Sequence, residues 1–159
     1  MIVQSAPPVA RLALPSEPNG PRFPAPKRVE AVDQKKERVR ILIVEDDFLI
    51  AMQTETVLSE AGYEVVGTAS TAEQAIILAR EKRPALAVMD IRLEGERDGI
   101  DAAKHLFEEL NIRCIFATAH DDAITRLRAE PIAPLGWLAK PFTGDSLVAL
   151  VNSTLTKFD

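Results

Sequence analysis

The chain has 159 residues, which is enough for one ordinary domain and an additional segment. Hydrophobic residues make up 47% and charged residues 27%, as in globular proteins, and the formal net charge of −5 argues against a nucleic-acid partner. No apolar run approaches the ~18 residues of a membrane span. The single cysteine, Cys114, excludes an internal disulfide and suits a reducing compartment, so we expect a cytoplasmic protein that binds neither nucleic acid nor membrane.

Residues 1–38 differ from the remainder in proline content and charge. They hold seven of the eleven prolines, and no helical or strand periodicity persists through them. Such a segment buries too little apolar surface to offset its ordering entropy. Seven Lys and Arg against four Asp and Glu give it a charge of +3 and leave −8 on the rest. We predict a disordered, proline-rich basic tail before a domain at residues 39–159; the tail could contact that domain, recruit an anionic partner, or have no role.

From residue 39 onward, apolar segments alternate with segments of helical periodicity. Strands are predicted at residues 39–44, 64–69, 85–89, 112–117 and 135–139. Helices are predicted at about residues 47–61, 71–83, 99–110, 121–129 and 144–157, and the fourth is short and followed by prolines. This alternation predicts an α/β fold in which helices cover both faces of a doubly wound, five-stranded parallel sheet.

The first predicted helix is rich in apolar residues. Its buried face is predicted to comprise six of them: Phe48, Leu49, Ala51, Met52, Leu58 and Ala61. Asp47 is a good N-cap for this helix, and Gly62 is a normal residue to end it.

Polar residues follow the predicted strands. They are Glu45, Asp46 and Asp47 after the first strand, Asp90 after the third, Thr118 after the fourth and Lys140 after the fifth. In a doubly wound sheet of order 2-1-3-4-5, strands one and three are neighbours where ligands bind. Carboxylates crowded there repel each other unless a cation intervenes, and oxygen ligands suit Mg²⁺, with Mn²⁺ as a substitute. The alternative is a helix N-cap cluster, which accounts for Asp47 but not for Asp90.

Thr118 and Lys140 add the groups that a phosphoryl acceptor requires. An aspartate that attacks phosphorus acquires a dianionic group, whose oxygens need a metal, a cation and hydrogen-bond donors. Lys140 offers an ammonium and Thr118 a hydroxyl. Each alone is more simply explained as a surface lysine or a strand-end threonine, but their joint placement favours a site around Asp90. The sequence does not decide whether the Lys140–Pro141 peptide bond is cis or trans.

Motifs spread along the chain resemble those of the receiver domain of two-component response regulators. They are Ile-Leu-Ile-Val-Glu-Asp-Asp at 41–47, Val-Met-Asp-Ile-Arg-Leu at 88–93, Asp98-Gly99, Phe116-Ala117-Thr118-Ala119 and Lys140-Pro141-Phe142. The resemblance covers about residues 39–157 and implies a flavodoxin-like, or CheY-like, fold. It implies phosphorylation of Asp90 by a sensor histidine kinase or a histidine phosphotransfer protein. It also implies Mg²⁺ ligation by Asp46, Asp90 and the backbone carbonyl of Arg92, with Glu45 acting through metal-bound water.

The same resemblance assigns roles to residues around Asp90. Thr118 and Lys140 would hold phosphoryl oxygens, and Thr118 would switch together with an aromatic residue three positions before the lysine. That residue is Trp137 here, where Tyr or Phe is commoner, so a switch and a half-buried surface position both remain open. Arg92 and His120 occupy the two positions that flank the phosphoryl group, where they would tune its hydrolysis or be solvated loop residues.

A narrower likeness concerns the type of receiver. Phe116-Ala117-Thr118 with Asp98-Gly99-Ile100 resembles an alphaproteobacterial group of receivers that often stand alone. Residues 128–131 are also similar to receivers of general stress response regulators, but the tail is too short and proline-rich to be the sigma-factor-like domain that precedes those. The resemblance thus implies a single-domain response regulator that accepts phosphoryl, loses it by autodephosphorylation and is not an enzyme.

The resemblance leaves two signalling roles open. In the first, phosphorylation promotes binding of a downstream protein through the face formed by helix four, strand five and helix five, a face that also suits a homodimer. In the second, the chain is a phosphate relay or sink without its own output partner. An unrelated phosphohydrolase or nucleotide enzyme is disfavoured, because no glycine-rich phosphate loop precedes the first helix and no second Asp lies two residues after Asp90.

Overall fold

The computed structural model describes residues 37–157, so residues 1–36 of the predicted tail lie outside the described part of the chain. Its strands are β1 (Arg40–Val44), β2 (Glu64–Ala69), β3 (Leu86–Met89), β4 (Arg113–Thr118) and β5 (Gly136–Ala139). Its helices are α1 (Phe48–Glu60), α2 (Ala72–Lys82), α3 (Gly99–Leu110), α4 (Ala123–Ala129) and α5 (Gly144–Leu155), and a 3₁₀ turn (Glu130–Ile132) follows α4.

The strands form one parallel sheet of order β2-β1-β3-β4-β5. This confirms the predicted fold class and strand order. The order reverses between β1 and β3, and the carboxyl ends of these two strands therefore border the crevice where ligands bind in such sheets. No helix within residues 37–157 is long and apolar enough to cross a membrane.

The two faces of the sheet pack against different helices. One cluster joins alternate strand residues to α2 and α3: Leu42, Val44, Ala87, Met89, Cys114 and Phe116 on the strands, with Ile76, Ile100 and Leu106 among the helical residues. The other joins the remaining strand residues to α1 and α5: Ile41, Ile43, Leu86, Val88, Ile115 and Ala117, with Leu58, Leu147 and Val151 on the helices. Burial on both faces explains why the central strands are almost continuously apolar in sequence.

The prediction for the buried face of α1 is wrong at both ends of the helix. Phe48, Leu49 and Met52 are 76%, 61% and 48% exposed, and Ala61 is exposed as well. The buried positions are Ala51, Thr54 and Leu58, as their spacing of three and four residues requires for one helix face. Apolar residues at the start of α1 lie on more than one side of the helix, so the sequence pattern did not identify the inner side.

Candidate functional site

Backbone hydrogen bonds extend the sheet past the strand ends and position the polar side chains. The backbone N–H of Asp90 donates to the carbonyl of Val44, at 2.8 Å. The backbone N–H of Lys140 donates to the carbonyl of Thr118, at 3.0 Å. These bonds continue the pairing of β1 with β3 and of β4 with β5 beyond the strand ends. The polar side chains at these ends therefore lie along one edge of the sheet.

Three carboxylates form a cluster at this edge. One oxygen from each of Glu45, Asp46 and Asp90 lies within 4.8 Å of the others. Glu45 and Asp90 are only 6% and 7% exposed, whereas Asp46 is open to solvent. The cluster confirms that these acids crowd together. It is an all-oxygen donor set with an open side, which fits a hard divalent cation such as Mg²⁺ that retains water ligands.

Lys140 joins the two buried acids. Its Nζ donates hydrogen bonds to Asp90 Oδ2, at 2.7 Å, and to Glu45 Oε2. The second oxygen of each acid accepts a backbone bond: Glu45 Oε1 from the N–H of Asp47, at 3.1 Å, and Asp90 Oδ1 from the N–H of Ile91, at 2.7 Å. All four oxygens of the buried acids therefore have donors. The Lys140–Pro141 peptide bond is cis.

The electrostatic environment favours a charged lysine. Burial raises the pKa of Glu45, against the opposing effect of hydrogen bonds from Lys140 and from the N–H of Asp47. Burial acts to lower the pKa of Lys140, but its hydrogen bonds to Asp90 and Glu45 together outweigh burial and hold that pKa above its usual value. Lys140 thus remains an ammonium that can pair with an anion at this edge.

Thr118 lies at the end of β4, beside β3, and is fully buried. Its Oγ1 accepts a hydrogen bond from the N–H of His120, at 3.1 Å. Because the Thr118 oxygen is the acceptor in this bond, its hydroxyl proton can be donated to another acceptor. His120 is partly buried in the loop that follows, and Arg92 is exposed two residues after Asp90.

The family model of the response regulator receiver domain matches residues 41–152. The chain belongs to the response regulator receiver domain family. Receivers take part in two-component signalling, interact with kinases or phosphotransfer proteins, and bind Mg²⁺ through an acidic pocket, for which this chain has Glu45, Asp46 and Asp90.

Relatives and solved structures agree with this assignment. The phyllosphere-induced regulator PhyR of Methylorubrum extorquens is 36% identical over 116 residues, which cover 72% of this chain and 43% of PhyR. The chemotaxis protein CheY of Thermotoga maritima is 30% identical over 114 residues, which cover 71% of this chain and 94% of CheY. The signal receiver domain of a modulated diguanylate cyclase from Desulfovibrio desulfuricans G20 superposes with a TM-score of 0.71 at 36% identity, over 76% of this chain and 96% of that one. The chain spans about half the length of several other curated relatives that it matches.

The receiver has a close backbone approach next to its central aspartate. The N–H of Gly99 donates to the carbonyl of Ile91, at 2.7 Å. A Cβ at Gly99 would lie 1.9 Å from the carbonyl oxygen of Asp90, so only glycine fits where α3 begins. Asp98 caps the same helix by accepting from the N–H groups of Ile100 and Asp101. The Asp98-Gly99 motif thus has a packing reason that sequence analysis alone did not supply.

The loop between β3 and α3 is tied to the start of α2. The N–H of Glu94 donates to the carbonyl of Ser70, at 3.2 Å, and Arg97 forms a salt bridge with Glu73, at 2.7 Å. These contacts hold the loop after Asp90 against the segment where α2 begins.

Trp137 lies on β5 opposite Phe116 on β4. The two ring centroids are 4.8 Å apart and the ring planes are inclined by 31°. The guanidinium carbon of Arg126, on α4, lies 4.8 Å from the Trp137 ring centroid, and Arg126 also pairs with Asp121. Sequence analysis did not identify Arg126 or Asp121. The two residues lie five positions apart, on either side of the start of α4, and this spacing does not predict a salt bridge.

Proposed function

We propose that this chain is a single-domain response regulator, phosphorylated on Asp90 by a sensor histidine kinase or a histidine phosphotransfer protein in the cytoplasm. The observation that carries the proposal is the meeting of the Glu45, Asp46 and Asp90 carboxylates with the Lys140 ammonium at one sheet edge. The near-complete coverage of CheY supports a single-domain role, and Phe116-Ala117-Thr118 supports membership of the stand-alone alphaproteobacterial group.

In the proposed transfer, an Asp90 carboxylate oxygen bonds to the phosphorus of a phosphohistidine. The phosphorus–nitrogen bond breaks, and the imidazole leaves and takes up a proton from water. Mg²⁺ or Mn²⁺, held by Asp46, Asp90 and the carbonyl of Arg92 with Glu45 in the outer sphere, would supply charge compensation for the phosphoryl oxygens.

Lys140 and Thr118 would hold the transferred group. Lys140 Nζ is already 2.7 Å from Asp90 Oδ2, so a short shift brings the ammonium to a phosphoryl oxygen. The Thr118 hydroxyl can donate to a second phosphoryl oxygen while still accepting from the N–H of His120. Both groups thus offer hydrogen-bond donors to the phosphoryl oxygens, and Lys140 adds a positive charge.

The test is phosphorylation by a small-molecule donor such as phosphoramidate in the presence of Mg²⁺, followed by intact-mass measurement. Wild type should gain one phosphoryl group and Asp90→Ala none. Asp145→Asn, which removes an exposed carboxylate at the start of α5, is the matched control and should behave as wild type. If Asp90→Ala takes up as much phosphoryl as wild type, Asp90 is not the acceptor.

The surface beside Lys140 supports docking of a phosphodonor protein over α1. A groove of mainly apolar character opens there, lined by Ile50, Thr54, Val57, Pro141 and Phe142. A second depression is lined by the exposed side chains of Phe48 and Met52 together with Glu45 and Asp46. A donor histidine must reach Asp90, and these apolar residues provide contact area around its path.

The readout surface that we propose is formed by α4, β5 and α5. Ile124 and Leu127 on α4 are 75% and 69% exposed and lie three residues apart on one side of the helix. These side chains suit a downstream protein or a second copy of the chain. Analytical ultracentrifugation with and without phosphorylation tests the homodimer, which Ile124→Ser and Leu127→Ser should weaken.

The alternative is a phosphate relay or sink, and one comparison separates the two roles. Candidate partner proteins are titrated with phosphorylated and unphosphorylated chain, with Asp90→Ala as the control. A downstream role requires higher affinity of a non-kinase partner for the phosphorylated form. A relay instead transfers the phosphoryl group to a histidine of a second protein, and a sink loses it to water.

We further propose that Arg92 and His120 tune the lifetime of the phosphorylated aspartate. They flank it in sequence, two residues after Asp90 and Thr118 respectively, and a cation there would hold phosphoryl oxygens or obstruct water. His120→Ala and Arg92→Ala should change the rate of phosphoryl loss, measured by intact mass over time. An unchanged lifetime in both variants contradicts this role.

A further inference from the structure

Trp137 contacts an aromatic ring and a cation at the same time. Phe116, its partner in the adjacent strand, lies 4.8 Å away between ring centroids, and the guanidinium of Arg126 lies over the Trp137 ring. A cation over an indole face is the strongest of the cation–aromatic pairings available to proteins. The position of Trp137 therefore depends on where α4 holds Arg126.

Arg126 is in turn oriented by an acid on the preceding loop. Its Nε donates to Asp121 Oδ1 and its Nη2 to Asp121 Oδ2, the latter at 2.7 Å. This two-bond arrangement fixes the plane of the guanidinium as well as its position. The hydrogen bond from Arg126 lowers the pKa of Asp121, so the pair is ionised at neutral pH.

The same loop begins at Thr118. The N–H of His120 donates to Thr118 Oγ1, at 3.1 Å, and Asp121 is the next residue. Asp122 then caps α4 by accepting from the N–H of Thr125, at 2.9 Å. Only two residues, Ala119 and His120, separate Thr118 from the acid that holds Arg126, so the two positions cannot move far apart from each other.

We propose that Asp121 and Arg126 are positioning residues that hold Trp137 in place, and that the switch of Thr118 and Trp137 implied by the receiver resemblance acts in this chain through their contact with the indole ring. Movement of Thr118 and its loop toward a phosphorylated Asp90 displaces Asp121, and the Arg126 guanidinium leaves the Trp137 ring. Trp137 and the exposed apolar residues of α4 then change their environment together. This inference rests on the proposed phosphorylation of Asp90 and specifies how its signal reaches the surface.

Trp137 is the single tryptophan of the chain, so its tryptophan emission comes from this position alone. Emission and acrylamide quenching are measured on the full chain before and after phosphorylation, with the extent of phosphorylation determined by mass. In wild type, phosphorylation should shift the emission and increase quenching. Arg126→Gln should show the shifted emission without phosphorylation, should change little further on phosphorylation, and should accept phosphoryl to the wild-type extent.

Arg128→Gln is the matched control, because Arg128 lies on the same helix but pairs with Asp98. It should retain the wild-type emission and the wild-type response. Arg126→Lys, which keeps the charge without the two-bond geometry, should lie between wild type and Arg126→Gln. Asp121→Asn should resemble Arg126→Gln. Circular dichroism establishes that each variant is folded.

The outcomes separate the coupling from the proposed function. If wild type accepts no phosphoryl group at Asp90, both fail. If wild type is phosphorylated but Arg126→Gln and Arg126→Lys keep the wild-type emission and its full response, the coupling through Asp121 and Arg126 is overturned while the proposed function stands.

Discussion

The acceptor end of the receiver and its α4 side are held together by different kinds of contact. At the acceptor end, Glu45 and Asp90 are buried and joined by Lys140. On the α4 side, a seven-residue helix is tied by two ion pairs whose cations, Arg126 and Arg128, are about half exposed. The comparison teaches that the proposed phosphoryl chemistry lies where the structure is hard to change and the proposed readout surface where it is easy to change.

Energies support this division. Exposed ion pairs contribute about 0.2–1 kcal/mol each, whereas removal of one member of a buried pair typically costs about 3–5 kcal/mol. Coupling between sites in proteins is typically about 1–3 kcal/mol. A phosphorylation signal of that size can therefore rearrange the contacts of α4 without disturbing the acceptor.

The largest effect is expected from a side chain at Gly99. Gly99→Ala should lower the free energy of unfolding by about 3 kcal/mol or more, because its Cβ would overlap the Asp90 carbonyl oxygen. Urea unfolding followed by circular dichroism measures this change. Gly67→Ala on β2 is the control, since its Cβ would meet a Leu78 methyl at 3.3 Å and only a flexible side chain must yield. Equal stability of the two variants would contradict a rigid acceptor end.

An intermediate effect is expected at Lys140. Lys140→Met leaves Glu45 and Asp90 without their shared cation and should cost about 3 kcal/mol in the absence of divalent ions, the lower end of the range for a buried pair. Mg²⁺ should stabilise this variant more than wild type, because the metal replaces the missing positive charge. Thermal unfolding with EDTA or Mg²⁺ measures both effects. Lys104→Met, an exposed position on α3, provides the control and should show the wild-type response to Mg²⁺.

The smallest effect is expected at Arg128. Arg128→Gln removes the 2.8 Å contact with Asp98 and should cost less than about 1 kcal/mol of unfolding free energy. Arg97→Gln, which breaks the similarly exposed pair with Glu73, should cost a comparable amount. A loss of more than about 2 kcal/mol for Arg128→Gln would mean that α4 is held as firmly as the acceptor, against the energies expected for exposed pairs.

The parts predicted from sequence are those that local pattern determines. Three features of the sequence predicted the cluster of Glu45, Asp46 and Asp90: the apolar strands, the polar residues that end them, and the order of neighbouring strands in a doubly wound sheet. The edge of a parallel sheet gathers strand ends wherever they occur in sequence, so the cluster required no knowledge of side-chain packing. Cys114 lies within the apolar fourth strand and is buried, and its burial raises the pKa of the thiol to about 12.

The parts missed are those that packing between distant segments determines. Phe48 and Leu49 are apolar but exposed, because α1 packs against the core through Ala51 and Leu58 instead. The contact of Arg126 with Trp137 joins a helix to a strand, and no sequence period specifies it. Hydrophobic pattern determines which elements form, whereas the rotation of a short helix and the partners of its polar residues depend on the completed core.

The ammonium of Lys140 has a further consequence for the charge balance at the edge of the sheet. Three carboxylates and one ammonium leave a formal charge of −2 at the edge of the sheet, before any phosphoryl group arrives. A dianionic group entering such a site is repelled, and one divalent cation is the smallest addition that brings the balance to zero. The proposed phosphorylation of Asp90 would therefore require the coincidence of a phosphodonor and a divalent cation.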